Sequence, residues 1–180
     1  MNRYLKLFLA TGIPFGIIMG IFHSFQNGFH SGLMAGTIEG IFFGIFMSLT
    51  LNFLHSRSVE KMPFGKSEET MGVHHVRNVE LRVPYDEAFD LCIESLNVVK
   101  RSKIQKENRS QGKIVARTGM TWRTWGDVIS FAIRNPGNDG IQIEVSSRPA
   151  LRWTLIDYGK NLENVELIIG FLNAHSRATV

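Results

Sequence analysis

Cysteine is nearly missing from this 180-residue sequence: Cys92 stands alone, so no disulfide can form within the chain. This composition fits a reducing compartment. We expect Cys92 to be a small buried core residue, because the sequence around it shows no group that would activate its thiol. No cysteine and histidine spacing typical of a metal site occurs either, and we expect neither a metal nor another cofactor.

Catalytic motifs are missing as well. The sequence contains no G-x-S-x-G, P-loop, dinucleotide-binding or H-E-x-x-H pattern. The adjacent His74 and His75 would point to opposite sides of a strand, which is a poor arrangement for holding a metal. We therefore expect a protein that is not an enzyme. The alternative, chemistry at Asp157 and Lys160, would need a pocket at those two residues.

Charge is scarce in the first third of the chain. Residues 5–54 contain one lysine, no arginine and one acid, Glu39. Residues 56–180 contain nearly all of the 20 basic and 16 acidic residues, with a small positive excess. This balance is too weak and too scattered to indicate nucleic-acid binding. It fits a mildly basic surface beside an anionic membrane leaflet.

Two long apolar segments fill the region that lacks charge. They cover Leu5–Phe25 and Leu33–Leu54, and a polar, glycine-containing turn over 26–32 separates them. Each segment has close to the 20 or so residues that cross the hydrocarbon core of a bilayer. No small-x-small cleavage site ends the first segment and the second follows at once, so we do not expect a cleaved signal. The pattern predicts a two-helix transmembrane hairpin over residues 1–55.

Basic residues flank this hairpin on one side only. Arg3 precedes the first segment and Lys6 lies at its very start, Arg57, Lys61 and Lys66 follow the second, and the connecting turn has neither lysine nor arginine. Because cytoplasmic flanks are enriched in lysine and arginine, we expect both termini in the cytoplasm. The sequence thus predicts an integral protein, of the plasma membrane in our interpretation.

Small residues recur at every fourth position of the hairpin. The series is Gly12, Gly16, Gly20, Ser24, Gly28, Gly32, Gly36, Gly40, Gly44 and Ser48. A step of four places them along one helix stripe, where another helix can approach closely. The pattern resembles the glycine zippers of channel and pore-forming membrane proteins. That resemblance covers residues 12–48 only and implies close helix packing.

The glycine stripes can pack in two ways. Folding the chain back at Gly28 places Gly20 opposite Gly36 and Gly16 opposite Gly40, so the two helices of one chain can pack together. Packing between subunits of a homo-oligomer is the alternative. In the folded-back register Glu39 lies one helical turn from His23. Since an ionisable residue at this depth is costly, the pair is either a simple hydrogen bond or a proton- or cation-responsive site.

The rest of the chain predicts a linker over 56–72 and a cytoplasmic domain over 73–180. Alternating apolar residues, turn signals and an amphipathic face predict strands at Val76–Val83, Ile104–Glu107, Gly112–Thr118, Thr121–Arg134 and 141–146, a short strand at Trp153–Ile156, a helix at Tyr85–Val99, and a terminal helix capped by Asn161. The order β-α-β-β-β-β-α predicts an α+β fold with an antiparallel sheet and two helices. It resembles the order in helix-grip and other small sheet-plus-helix ligand-binding domains.

Aromatic and basic residues form the main candidate contact site of this domain. They are Trp122, Arg123, Trp125, Arg152 and Trp153. An arginine stacked on tryptophan can bind an anionic lipid headgroup or a peptide, and aromatic residues on a sheet face with solvated arginines are the alternative.

A second candidate contact lies just before the terminal helix. Gly159 favours a turn with positive φ, and Lys160 with the helix N-terminus can hold an anion. Ordinary turn and cap chemistry is the alternative.

These expectations combine into one functional hypothesis. The chain is a two-span membrane protein whose cytoplasmic α+β domain binds a protein, a ligand or anionic lipid, but not nucleic acid. The alternative is a homo-oligomeric channel or pore-like assembly that the domain gates.

Overall fold

The computed structural model describes residues 2–60, 72–137 and 140–176. The chain divides into two compact units, Met1–Ser58 and Val59–Val180. Helix α1 covers Arg3–Asn27 and helix α2 covers Phe29–Glu60, and all but the last two residues of α2 belong to the first unit. The side chain of Asn2 accepts a hydrogen bond from the Tyr4 amide at 3.2 Å and so caps α1.

The join between α1 and α2 is shorter than the predicted turn over 26–32. Only Gly28 departs from helical geometry, with φ of +84°, a value that glycine adopts without strain. Its amide donates to Ser24 O at 3.1 Å, and its own carbonyl accepts from Gly32 N at 3.1 Å to begin α2. The predicted turn is therefore wrong in extent, because one left-handed residue is enough to end one helix and start the next.

Helix α2 also continues past the predicted end at Leu54. It reaches Glu60 because residues 55–60 contain neither glycine nor proline to stop it. Residues 56–60 of the predicted linker are thus helical, and 61–71 lie outside the described residues.

The second unit is an antiparallel sheet with helices. Its strands are β1 (His75–Leu81), β2 (Ser102–Asn108), β3 (Lys113–Thr118), β4 (Asp127–Arg134) and β5 (Ile141–Pro149). Helix α3 covers Tyr85–Ser95 and continues as a 3₁₀ turn over Leu96–Val98, and helix α4 covers Lys160–Ser176. The spatial order β1-β5-β4-β3-β2 is antiparallel throughout. This arrangement confirms the predicted α+β class and the order of the elements.

One face of the sheet packs on both helices. Alternate residues of β4 and β5, together with the inner faces of α3 and α4, form the buried apolar core, which includes Ile129, Phe131, Ile143, Val145, Ala88, Phe89, Cys92, Val165, Ile168 and Leu172. Burying one such large aliphatic or aromatic side chain stabilises the folded state by roughly 1.5–3 kcal/mol. Apolar residues therefore recur at every second position in the strands and at helical spacing in α3 and α4, because in both cases they face this core.

Two predicted strands differ from the structure. The strand predicted over Thr121–Arg134 begins only at Asp127, and residues 153–156 form turns and loop instead of a strand. The helix predicted over Tyr85–Val99 is α-helical only to Ser95. In each case the residue types favour the predicted element. Local turns, or hydrogen bonds from side chains to the backbone, instead determine the backbone conformation.

Candidate functional site

The sheet topology gathers several loops at one end of the second unit. Asp127 at the start of β4 pairs with Pro149 at the end of β5, and Ser102 at the start of β2 pairs with Thr118 at the end of β3. The loops after β3 and β5 (residues 119–126 and 150–159) therefore lie side by side, and Ala150 N donates to Gly126 O at 3.0 Å between them. We call these two segments the tryptophan loops, because they contain every tryptophan of the chain.

Threonine side chains hold the first tryptophan loop in shape. The Thr121 hydroxyl accepts from the amides of Arg123 and Thr124 at 3.2 and 3.1 Å, and Thr121 N donates to Thr124 O at 2.8 Å. Side-chain acceptors of this kind replace ladder hydrogen bonds and favour turns. Trp122 stands at the tip, with its ring centroid 5.5 Å from that of Tyr158 in the second loop.

The three tryptophans are turned out to solvent. The exposed fractions are 82% for Trp122, 65% for Trp125 and 76% for Trp153, and Met120 beside them is also exposed. Tryptophan is usually well buried, so three exposed rings in adjacent loops form an unusual apolar surface. The alternative that these rings cover a sheet face is wrong, because all three lie in loops.

Basic groups surround this surface, and α4 supplies an acid to two of them. Arg123 Nη2 lies 2.5 Å from Glu163 Oε2, and Lys160 Nζ lies 3.6 Å from Glu163 Oε1. Burial lowers the pKa of Lys160, and Glu163 opposes that shift. Arg123 also lies 6.0 Å above the Trp122 ring, whereas Arg152 is exposed in the second loop. The predicted aromatic and basic residues thus share one end of the domain.

The N-terminus of α4 is capped by Asp157. Its carboxylate accepts from Gly159 N at 3.1 Å, from Asn161 N at 2.9 Å and from Asn161 Nδ2 at 2.9 Å. Gly159 has the predicted positive φ, +74°, and α4 begins at Lys160. The prediction that Asn161 caps the helix is therefore wrong: Asp157 performs this role, and its carboxylate accepts from one backbone amide of the first turn, that of Asn161.

Beneath these loops lies a buried polar cluster that sequence reasoning missed. Ser147 Oγ donates to Asn161 Oδ1 at 2.7 Å, Asn164 Nδ2 donates to Ser147 Oγ at 3.3 Å, and the same amide lies 3.2 Å from Asp127 Oδ2. Thr118 Oγ1 also donates to Asp127 Oδ2 at 3.2 Å. A signal was present in the sequence: Ser147 has the same parity as the inward-facing Ile143 and Val145, so its side chain had to lie on the core side.

Asp127 is the acid of this cluster. Burial raises its pKa, while hydrogen bonds from Asn164, Thr124 and Thr118 oppose the shift. Among the described residues, Asp127 Oδ1 and Asn164 Oδ1 are buried oxygens without a hydrogen-bond partner. Both unpaired acceptors add to the cost of burying the charged carboxylate.

In the first unit, α1 and α2 meet along the predicted glycine register. A Cβ placed on Gly12 would lie 3.1 Å from Gly44 Cα, one on Gly16 would lie 3.1 Å from Gly40 Cα, and one on Gly36 would lie 2.6 Å from Gly20 Cα. We call this contact the glycine seam, formed by Gly12, Gly16 and Gly20 of α1 and Gly32, Gly36, Gly40 and Gly44 of α2. At most of these positions the two backbones are too close to admit a larger side chain.

The predicted polar pair lies beside this seam. His23 Nε2 and Glu39 Oε1 are 3.0 Å apart and share a hydrogen bond. Glu39 Oε2 is buried without a hydrogen-bond partner, and Glu39 borders an apolar groove of about 460 Å³ lined also by Phe15, Met19, Ile38 and Phe42. The contact that the register predicts is therefore present. A proton- or cation-responsive role for the pair stays a prediction.

Metal-type clusters do not occur among the residues that the structure describes: no three histidine, cysteine, aspartate or glutamate side chains gather closely enough to hold an ion. His75, at the start of β1, instead bonds through Nε2 to Gly72 O at 2.9 Å, and burial lowers its pKa.

Comparison with known proteins yields little. No family model matches the chain, and no curated protein matches it. Among solved structures, the crystal structure of Ara h 8.0201 matches with a TM-score of 0.34 and 12% sequence identity, and the match covers 56% of this chain and 99% of that chain.

Proposed function

We propose that this chain is a two-span integral membrane protein whose α+β domain lies at the cytoplasmic face and binds a partner or ligand there without catalysis. The observation that carries the proposal is the outer surface of the α1–α2 hairpin. Both helices are long and apolar enough to cross a membrane.

The hairpin turns its large apolar side chains outward. Only 11% of the most apolar window of α1 and 28% of that of α2 are buried. The exposed side chains include Ile13, Ile17, Ile18, Phe25, Phe29, Leu33, Ile38, Phe42, Phe46 and Phe53. A core helix of a soluble protein would be mostly buried, and a continuous exposed apolar surface of this kind is rare on soluble monomers. Lipid acyl chains match such a surface, and helices satisfy their own backbone groups in it.

Helix length and internal packing agree with this environment. Helices of 25 and 32 residues extend roughly 37 and 48 Å at 1.5 Å per residue, more than the hydrocarbon thickness of about 30 Å. Close contact through glycine is how membrane helices associate when apolar side chains gain nothing by leaving lipid. The basic residues Arg3, Lys6 and Arg57 support the cytoplasmic side for both ends of the hairpin.

Membrane insertion is tested by washing membranes that contain the full chain with alkaline carbonate and then floating the vesicles. We expect the protein to stay with the vesicles, because two spans cannot be extracted without exposing their apolar surface. Intact mass of the recovered protein checks the N-terminus. Release into the wash, or loss of the first apolar segment by signal cleavage, would contradict the proposal.

An oligomeric channel or pore-like assembly is the second candidate. The observation that favours it is an apolar groove of about 690 Å³ along the seam, lined by residues that include Ile13, Ile17, Leu33 and Thr37. Another helix of a second copy would fill this groove. Gly36 and Gly40 face α1 of the same chain, so leucine at either position would disturb the hairpin itself.

Assembly is therefore tested with a matched pair at the groove. Ile17 lines the groove, whereas the adjacent Ile18 does not line it and is exposed. Light scattering in detergent should show an oligomer that Ile17→Phe disrupts and Ile18→Phe leaves intact, with ion flux in liposomes following the same pattern. A monomeric mass together with an ion-tight bilayer would remove this candidate.

A further inference from the structure

All three tryptophans of the chain lie in the tryptophan loops, and all three are exposed. The first loop is held rigid by the Thr121 turn and is tied to the second by the hydrogen bond from Ala150 N to Gly126 O. The rings are thus presented on a preformed surface, which costs little ordering when it binds.

The chain enters the domain at the same end. His75 at the start of β1 pairs with Ser147, two residues before the end of β5. The segment 61–71 that leads here from α2 has eleven residues, so Glu60 and Gly72 can be separated by at most roughly 40 Å. The sequence thus tethers this end of the domain directly to the hairpin.

Charge at this end favours an anionic surface. The tryptophan loops and the adjoining turn at 99–101 contain Lys100, Arg101, Arg123 and Arg152, and their single acid, Asp157, is fully buried as the cap of α4. Glu163 of α4 faces Arg123 and Lys160, which leaves Lys100, Arg101 and Arg152 exposed beside the rings.

We infer that the tryptophan loops dock on the interface of the same bilayer that holds the hairpin, with Trp122, Trp125 and Trp153 at the level of the lipid headgroups and Arg152 against their phosphates. This inference rests on the proposed membrane insertion. Tryptophan favours this layer because its ring is apolar and its N–H finds an acceptor there. Arginine beside it gains from the negative potential of an anionic leaflet. The arrangement holds the sheet domain against the membrane at three points.

The test uses the full chain in vesicles of phosphatidylcholine and phosphatidylglycerol and reads tryptophan fluorescence. Residues 3–60 contain no tryptophan, so the emission reports on the loops alone. We expect a blue-shifted emission that loses most of its intensity when the lipids carry bromine on their acyl chains. Variants that keep only one tryptophan should each be quenched, and folding should survive because the replaced rings are exposed.

A charge-matched pair tests the arginine. Arg152→Gln removes one positive charge from the proposed docking surface, and Lys113→Gln removes one at the start of β3, at the opposite end of the sheet. Quenching should weaken in Arg152→Gln, more with phosphatidylglycerol than without it, and stay unchanged in Lys113→Gln. Equal effects of both would contradict a role of Arg152 in headgroup binding.

The remaining outcomes separate this inference from the proposed function. A blue-shifted emission that brominated lipids do not quench would mean that protein, not lipid, covers the rings. Emission at the wavelength of tryptophan in water, quenched by iodide, would mean that the rings are uncovered. Either result overturns docking. If either of these fluorescence results is found with protein that resists carbonate extraction, docking is overturned but insertion of the hairpin still stands. Protein that carbonate extracts, although its tryptophans were quenched before extraction, overturns insertion and leaves only the contact of the loops with lipid.

Discussion

At the scale of single residues, the structure sets apart two groups that burial makes unusual. Asp127 is fully buried within the polar cluster of Ser147, Asn161 and Asn164, and Cys92 is fully buried in the apolar core. Water stabilises the charged form of each side chain, so its removal raises both pKa values, that of Cys92 to about 12. Each shift has a consequence that can be measured.

Asp127→Asn tests the buried acid. Because the pKa of Asp127 is higher in the folded than in the unfolded state, the folded state binds more protons between these two values. The free energy of unfolding therefore falls as pH rises from the unfolded-state pKa to the folded-state pKa and stays reduced above it. The variant lacks this loss. In denaturant titrations, the free energy of unfolding of the variant should therefore rise with pH relative to that of the natural chain.

Cys92 should be chemically silent in the folded protein. A buried thiol with a pKa of about 12 offers almost no thiolate at neutral pH. We expect no maleimide labelling of the folded chain, and full labelling once denaturant unfolds the sheet domain. Ser110→Cys, in the exposed turn between β2 and β3, is the control that should react at once. Rapid labelling of the natural chain would contradict the core assignment.

At the scale of elements, the glycine seam shows how little space α1 and α2 leave each other. A Cβ on Gly36 would lie 2.5 Å from Gly16 O and 2.6 Å from Gly20 Cα, whereas one on Gly20 would lie 3.3 Å from Gly32 O and 3.6 Å from Gly36 Cα. The first position collides with backbone that cannot move alone. The second needs only a small adjustment.

Gly36→Ala and Gly20→Ala form a matched pair across this contact. We expect Gly36→Ala to destabilise the hairpin by about 1–3 kcal/mol, the usual cost of overpacking, and Gly20→Ala to cost less. Circular dichroism during unfolding in mixed detergent micelles measures both. Equal effects of the two substitutions would mean that the helices can move apart to admit a methyl group at either position, and that the seam does not limit their approach.

The elements also show what sequence could and could not predict. The hairpin register was predictable because a four-residue repeat and a central glycine are local signals. The loop at 121–126 was not, since Thr121, Trp122, Thr124 and Trp125 all favour strands, and the hydrogen bonds of the Thr121 hydroxyl outweigh that preference. The cluster around Asp127 was missed because its partners come from β3, β4, β5 and α4, and no spacing in sequence joins them.

At the scale of the whole molecule, an even number of spans would place both ends of the hairpin on one side of the membrane. Single cysteines can test this without a cysteine-free background, because Cys92 is buried. We expect an impermeant maleimide, added to cells from outside, to label Ser31→Cys near Gly28 and to spare Ser110→Cys until the membrane is opened. Labelling of both from outside, or the reverse order, would contradict the proposed orientation.

If the hairpin crosses a bilayer as proposed, the one-residue join at Gly28 limits what the protein offers to the compartment on that side. An extracellular receptor needs a loop or domain large enough to enclose a ligand, and here the chain turns with α1 ending at Asn27 and α2 beginning at Phe29. The rings of Phe25 and Phe29 beside this turn are exposed and apolar, so they suit the lipid interface better than open water. In a bilayer, this turn would therefore present only a small, largely apolar surface to the compartment on its side.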